Sequence, residues 1–288
     1  MSVELHREPE ARLAPLAAAW PPKLDLLGLA VSATHYDEAV AAVASAAASG
    51  QGAVVSCHAV HAVVTFSGDP ELRAKANAFE MITPDGQPVR WALNMLHGAG
   101  LRERVYGPEL MLRLCRMAAD AGLGVYLYGG TPEVLDRLVA RLSRRCPGLC
   151  VVGAEAPPFR TLTADEDEAV CARIRSSGAR LVFIGLGCPK QDLFAHAHRD
   201  RIAAVQICVG AAFDFHAGVK PMAPRWMQRS GFEWLFRLAQ EPRRLGRRYL
   251  VTNTVFLTMF ARALLHRVVG RFFKSRRSIA SRETDLLV

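Results

Sequence analysis

The run Val125-Tyr-Leu-Tyr-Gly-Gly-Thr-Pro-Glu-Val134 changes period halfway along. Its first four residues form a short apolar, β-prone segment, which reads as a strand. Gly129-Gly130 allows a tight turn. Thr131 is a natural helix N-cap and Pro132 a natural first helical residue. Residues 132–145 then keep helical spacing.

The same strand–turn–helix unit recurs outward from this run. Strands are expected at 26–32, 53–57, 81–83, 150–154, 181–185 and 205–210, with helices at 37–48, 70–78, 88–96, 109–121, 164–176 and 190–199. Such alternation implies an α/β fold, a Rossmann-like, mostly parallel sheet with helices on both faces. Ligands of such sheets bind beyond the carboxyl ends of the strands, so the residues just after each strand are the first candidates for a site.

Three regions follow from composition: a loose tail over 1–22, an α/β domain over 23–221, and a basic helical appendage over 222–288. The tail carries Glu4, Arg7, Glu8, Glu10 and Arg12 and ends in Pro21-Pro22, unlike a secretory signal. No run of 18 uncharged apolar residues is present, so no membrane span is expected. The net charge is +9, unevenly spread. Residues 222–277 hold 13 Lys and Arg against Glu233 and Glu241, whereas the remainder holds 23 basic and 25 acidic residues. An anionic partner is therefore expected at the appendage. Seven scattered cysteines suit free thiols in a reducing compartment.

Polar and small residues gather at the expected strand ends. Ser56 and His58 follow one strand, Asp85 and Gly86 another, Gly129 and Gly130 a third. Gly187, Lys190 and Gln191 follow the strand at 181–185, and Asp214 lies beyond the last. Asp85 is placed to act as a general base, and equally to cap the helix near Pro88. The two glycine turns can bring backbone amides against phosphate, or simply make tight strand–helix turns. Gly185-Leu-Gly187 does not complete G-x-G-x-x-G, so a dinucleotide site is poorly supported. The histidines lack metal-ligand spacing, and no metal or cofactor is expected. Asp214 sits in an apolar run, which calls for a task or a charged partner.

Four stretches together resemble the WecG/TagA/CpsF family of bacterial glycosyltransferases. They are Ile82-Thr-Pro-Asp-Gly86; Arg102-Glu-Arg-Val-Tyr-Gly107; Gly185-Leu-Gly-Cys-Pro-Lys-Gln191; and Gly210-Ala-Ala-Phe-Asp-Phe-His-Ala-Gly218, leading to Glu233-Trp-Leu-Phe-Arg237. The resemblance implies transfer of a sugar from a UDP-sugar to an undecaprenyl-diphosphate-linked saccharide, in synthesis of cell-surface polymers. It implies a peripheral enzyme at the cytoplasmic face of the inner membrane, bound to anionic lipid through the appendage. By the same resemblance Asp85 is the base. Ser56, His58, Arg104 and Gln191 fall on further motif positions, His58 standing where the family has Asn. Arg237, Arg244 and Arg248 of the appendage are then placed to neutralise the donor diphosphate.

Two other readings compete. A nicotinamide-dependent oxidoreductase would need the missing glycine fingerprint. A non-enzymatic membrane- or nucleic-acid-binding module would explain the basic appendage but leave Asp85, Gln191 and Asp214 without a role. Nucleic acid is accordingly not an expected partner. Donor sugar, acceptor saccharide and oligomeric state, a homo-oligomer included, stay open at this level.

Overall fold

Six parallel strands form the centre of the protein: β3 (Ala53–His58), β4 (Met81–Pro84), β5 (Val125–Gly129), β6 (Val151–Glu155), β7 (Leu181–Gly185) and β8 (Val205–Cys208). Their order across the sheet is β4-β3-β8-β7-β5-β6. Between them run α1 (Tyr36–Ser49), α2 (Val60–Ser67), α3 (Pro70–Asn77), α4 (Gln87–His97), α5 (Gly107–Asp120), α6 (Pro132–Arg145), α7 (Ala164–Ser176) and α8 (Lys190–His198). After β8 come α9 (Ala212–Ala217), α10 (Arg225–Ser230), α11 (Glu233–Gln240) and α12 (Pro242–Asp285). This computed structural model describes residues 19–285, apart from the side chains of Arg244 and of residues 268–285.

The strands are apolar on both faces, as a sheet covered on both sides requires. Val55, Leu127, Phe183 and Ile207 join α1, α5, α6 and α9 in one core. Their neighbours Val54, Tyr126, Val182 and Cys208 join α2, α4, α7 and α8 in the other. Local signals fix several helix starts. Thr131 accepts a hydrogen bond from Val134 N–H to open α6, and Thr163 with Glu166 forms a capping box at α7.

The expected strand at 26–32 is instead a hairpin. β1 (Lys23–Leu26) and β2 (Leu29–Ser32) pair antiparallel outside the main sheet. Leu27 and Gly28 both take positive φ, 59° and 89°, which is what a two-residue hairpin turn demands. The strand expected to run to 210 stops at Cys208, and residues 212–217 are helical as α9. Helix α2, over residues 60–67, carries no local start signal in the sequence, since its N-cap Ala59 offers no side-chain bond.

Of the tail, residues 1–18 lie outside the described residues. Trp20 packs on the first core, and Pro22 C=O accepts from Ala33 N–H at 2.8 Å. In α12, Phe256 is a buried member of the second core, with Phe260, Ala263 and Leu264 packed beside it. Leu250, Leu257 and Leu265 are more than 60 % exposed. At about 100° per residue Phe256, Phe260 and Ala263 cluster within about 60° of one another and Leu265 lies on the far side, while Leu250, Leu257 and Leu264 share the border between them. The sequence suggests one apolar stripe through Leu250, Leu257, Phe260, Leu264 and Val268. The structure divides it, Phe260 and Leu264 inward and Leu250 and Leu257 outward; the Val268 side chain lies outside the described residues.

Candidate active site

A cavity of about 460 Å³ opens at the carboxyl ends of β3, β8, β7 and β5. β3 leads outward to β4 and β5 outward to β6, so the chain diverges here, the usual place for a ligand in such a sheet. Strand ends supply its floor: Cys57 and Ala59, Asp85, Gly130, and residues 185–188 and 209–215. Arg237 of α11 and Leu245, Arg248 and Tyr249 of α12 supply its outer wall, so the last two helices are part of the cavity.

Asp85 follows β4 directly. Its N–H donates to Thr83 C=O at 2.9 Å and His58 C=O at 3.2 Å, and Gly86, at φ 107°, turns the chain into α4. The N-cap of α4 is Gly86, without a side-chain bond, so the Asp85 carboxylate is not spent on that helix. Its Oδ2 accepts from Gly107 N–H at 3.1 Å. Burial pushes the Asp85 pKa up and Glu233 adds to that, against Arg104, the Gly107 amide and Arg237; the balance stays above the ordinary carboxylate value. A raised carboxyl facing a cavity is suited to accepting a proton.

Behind Asp85 lies a charged cluster. Glu233, buried at the start of α11, pairs with Arg104 and, at 2.5 Å, with Arg237. Arg237 also donates to Tyr106 Oη at 2.9 Å, and the Arg104 guanidinium lies 4.3 Å over the Tyr106 ring. Burial works to raise the Glu233 pKa, but Arg237 and Arg104 outweigh it and hold the carboxyl below its usual value. Glu233 therefore ties α11 to the body while holding two guanidinium groups near Asp85, Arg237 on the cavity and Arg104 behind it. Neither Tyr106 nor Glu233 was among the sequence candidates. The available signal for Glu233 was its standing as one of two acids in a strongly basic segment.

Gln191 is buried and lines the cavity, its Oε1 accepting from Gly187 N–H at 3.2 Å. Gly187 and Gly130 face the cavity, whereas Gly129 does not; a Cβ on Gly129 would sit 2.7 Å from the backbone of Gly185. Ser56 and His58 lie behind the wall, where Ser56 Oγ donates to Asp192 Oδ1 at 2.5 Å and His58 Nε2 lies 3.1 Å from the same oxygen. Asp214 lines the cavity and pairs with Lys220 at 2.9 Å, which also reaches Glu241 at 3.4 Å. Arg104 stands one layer back. Lys190 is exposed and outside the cavity, and the Arg244 side chain lies outside the described residues.

All seven cysteines are free; Cys57 and Cys188 line the cavity. Among the described residues, Asp167, Cys171 and His198 bring metal-ligating atoms within 4.8 Å of one another. They lie on α7 and α8 outside the cavity, where Asp167 already accepts from Arg201 at 2.7 Å and meets His198 at 2.8 Å. The sequence profile described as "Glycosyl transferase WecG/TagA/CpsF family" matches residues 24–269.

Proposed function

Since the chain belongs to the WecG/TagA/CpsF family of glycosyl transferases, we propose that it transfers a sugar from a UDP-sugar to a hydroxyl of a polyprenyl-diphosphate-linked saccharide. The observation that carries this reading is Asp85, a carboxyl of raised pKa on a nucleotide-sized cavity, backed by two arginines. Asp85 takes the acceptor hydroxyl proton as that oxygen attacks C1 of the donor sugar. The bond from C1 to the diphosphate breaks on the opposite face, inverting the centre. Arg237 and Arg248 stabilise the charge growing on the leaving UDP, and Gln191 orients a substrate hydroxyl. Arg104 acts from behind Tyr106, setting the field at Asp85. The chemistry needs no metal, and excess EDTA is expected to leave turnover unchanged.

A mononucleotide site also separates this reading from a nicotinamide enzyme. UDP is expected to raise the melting temperature, while NAD at the same concentration leaves it unmoved, because only a ligand of the folded state stabilises it. A larger shift with NAD would favour the oxidoreductase.

The acceptor's lipid requires a membrane surface. No helix among the described residues is long and apolar enough to cross a membrane. What supports a peripheral enzyme is the outer side of α12, where exposed Leu250, Val251, Leu257 and Leu265 stand among exposed Arg243, Arg247 and Arg262. Cationic side chains near anionic lipid contribute about 1 kcal/mol each, and an apolar face adds burial. Leu250 of this face directly follows Tyr249 of the cavity wall, so a lipid-linked acceptor held at the interface is beside the site. Deleting the appendage is a poor test, because it would strip Phe256 from the core and Arg237 and Arg248 from the cavity. The Leu250→Glu/Leu257→Glu double variant changes only exposed positions. It is expected to keep its melting temperature and lose co-sedimentation with phosphatidylglycerol vesicles. Retained binding would place the membrane contact elsewhere.

A further inference from the structure

Arg248 and His61 share the cavity wall without a polar partner. Arg248 comes from α12 and His61 from the first turn of α2, helices that pack on each other. Neither side chain makes a hydrogen bond or ion pair among the described residues, and Arg248 Nε and His61 Nδ1 are buried without a hydrogen-bond partner. The other cations of the site are engaged, Lys220 with Asp214 and Glu241, Arg104 and Arg237 with Glu233. A buried guanidinium N–H without an acceptor, near an imidazole that could donate if protonated, suits an oxyanion.

The charges around His61 point the same way. Burial first, and then Arg248, holds its pKa below the ordinary histidine value. The other titratable or charged groups of the cavity wall are Asp85, Cys57 and Cys188, with Asp214, Lys220, Arg237, Glu241, Tyr106 and Tyr249. Among the described charges it is Arg248 that moves His61. An anion seated against Arg248 would cancel that repulsion and favour the imidazolium.

We propose that His61 and Arg248 form the subsite for the phosphate oxygens of a nucleoside diphosphate, and that His61 takes a proton from solvent as the anion binds. This rests on the UDP-sugar reading above and adds to it a proton-linked phosphate contact, through which bound UDP is held more tightly as pH falls through neutrality.

Calorimetric titration of the full chain with UDP, in buffers of differing ionisation heat, tests it. Wild type is expected to take up a fraction of a proton per UDP, with affinity falling from pH 6 to 8.5. His61→Gln is expected to lose the His-dependent uptake and flatten that profile. Arg248→Gln, or Arg248→Lys should the former fold poorly, is expected to weaken UDP about tenfold, the usual scale for a charge-assisted hydrogen bond. Pyrophosphate should share the His61-dependent uptake; uridine and glucuronate should not. Uptake with glucuronate but not pyrophosphate would overturn the phosphate assignment in favour of a donor carboxylate. Equal uptake by wild type and His61→Gln would overturn the proposal and leave the UDP-sugar reading standing. His61-dependent binding of pyrophosphate without any binding of UDP would overturn the UDP-sugar reading and the nucleoside-diphosphate assignment with it, and binding of neither anion would end both.

Discussion

Asp85→Asn is expected to lower kcat by roughly 10²–10⁴-fold, the usual worth of a positioned general base, while UDP binding stays near wild type. The substitution is nearly isosteric, and the amide oxygen can still accept from Gly107 N–H. What it removes is the ability to take a proton. The pH dependence carries the same signature. The Asp85 pKa is raised by burial, so the base must lose its proton at a pH above the ordinary aspartate value of about 3.9. Turnover in the wild type should therefore fall on acidification along a limb displaced upward from that value, and the residual activity of the variant should lack this limb.

Stability separates this from a structural defect. A carboxyl whose folded pKa is raised costs stability above its unfolded pKa, and regains it as pH falls. Removing the charge at neutral pH should leave the melting temperature unchanged or higher. A lower melting temperature together with lost turnover would indicate a structural role.

Gly129→Ala is expected to have the largest effect on the fold. Gly129 has φ 127°, a conformation closed to L side chains, and an added Cβ would lie 2.7–2.9 Å from backbone atoms of Gly185 on the adjacent strand. Backbone cannot step aside as a side chain can. The expected loss is several kcal/mol, the range of severe single substitutions, seen as insoluble expression or a collapsed melting transition. Gly187→Ala is the control. Its φ of 77° also disfavours a side chain, but a Cβ there meets nothing within 4 Å. That variant should fold with a loss of about 1–2 kcal/mol, the cost of a left-handed residue. Similar melting curves for the two would mean that β5 and β7 are not this close at their ends.

The contrast between these glycines illustrates where sequence reading stops. Both follow an apolar strand and precede a helix, and both were candidate phosphate contacts. Which one faces a ligand depends on β5 and β7 being neighbours, a fact of sheet order. Elements with local signals were legible: Thr131-Pro132 and Thr163 mark the starts of α6 and α7 at the expected residues. The hairpin at 23–32 is hidden because its first turn residue, Leu27, is apolar and continues the run over 26–31, leaving Gly28 alone to mark the turn. In the site, Asp85, Gln191, Asp214, Arg237 and Arg248 stand on the cavity. The pairing of Arg104 with Glu233 spans 129 positions, and that of Ser56 with Asp192 spans 136, so neither leaves a local pattern. Asp192, beside Gln191, carries no sequence signal of its own, though it is the residue that holds Ser56 and His58 behind the wall.

Asp85 is proposed to activate the hydroxyl of a lipid-linked acceptor toward a UDP-sugar. That role is tested most directly by UDP release from a panel of UDP-sugars, with and without polyprenyl-diphosphate-linked mono- and oligosaccharides, in wild type and Asp85→Asn. Wild type is expected to release UDP from at least one donor only when a lipid-linked acceptor is present, and Asp85→Asn, still binding UDP, to release almost none. UDP release by Asp85→Asn at near the wild-type rate, or the absence of acceptor-dependent release from every donor, would contradict that role.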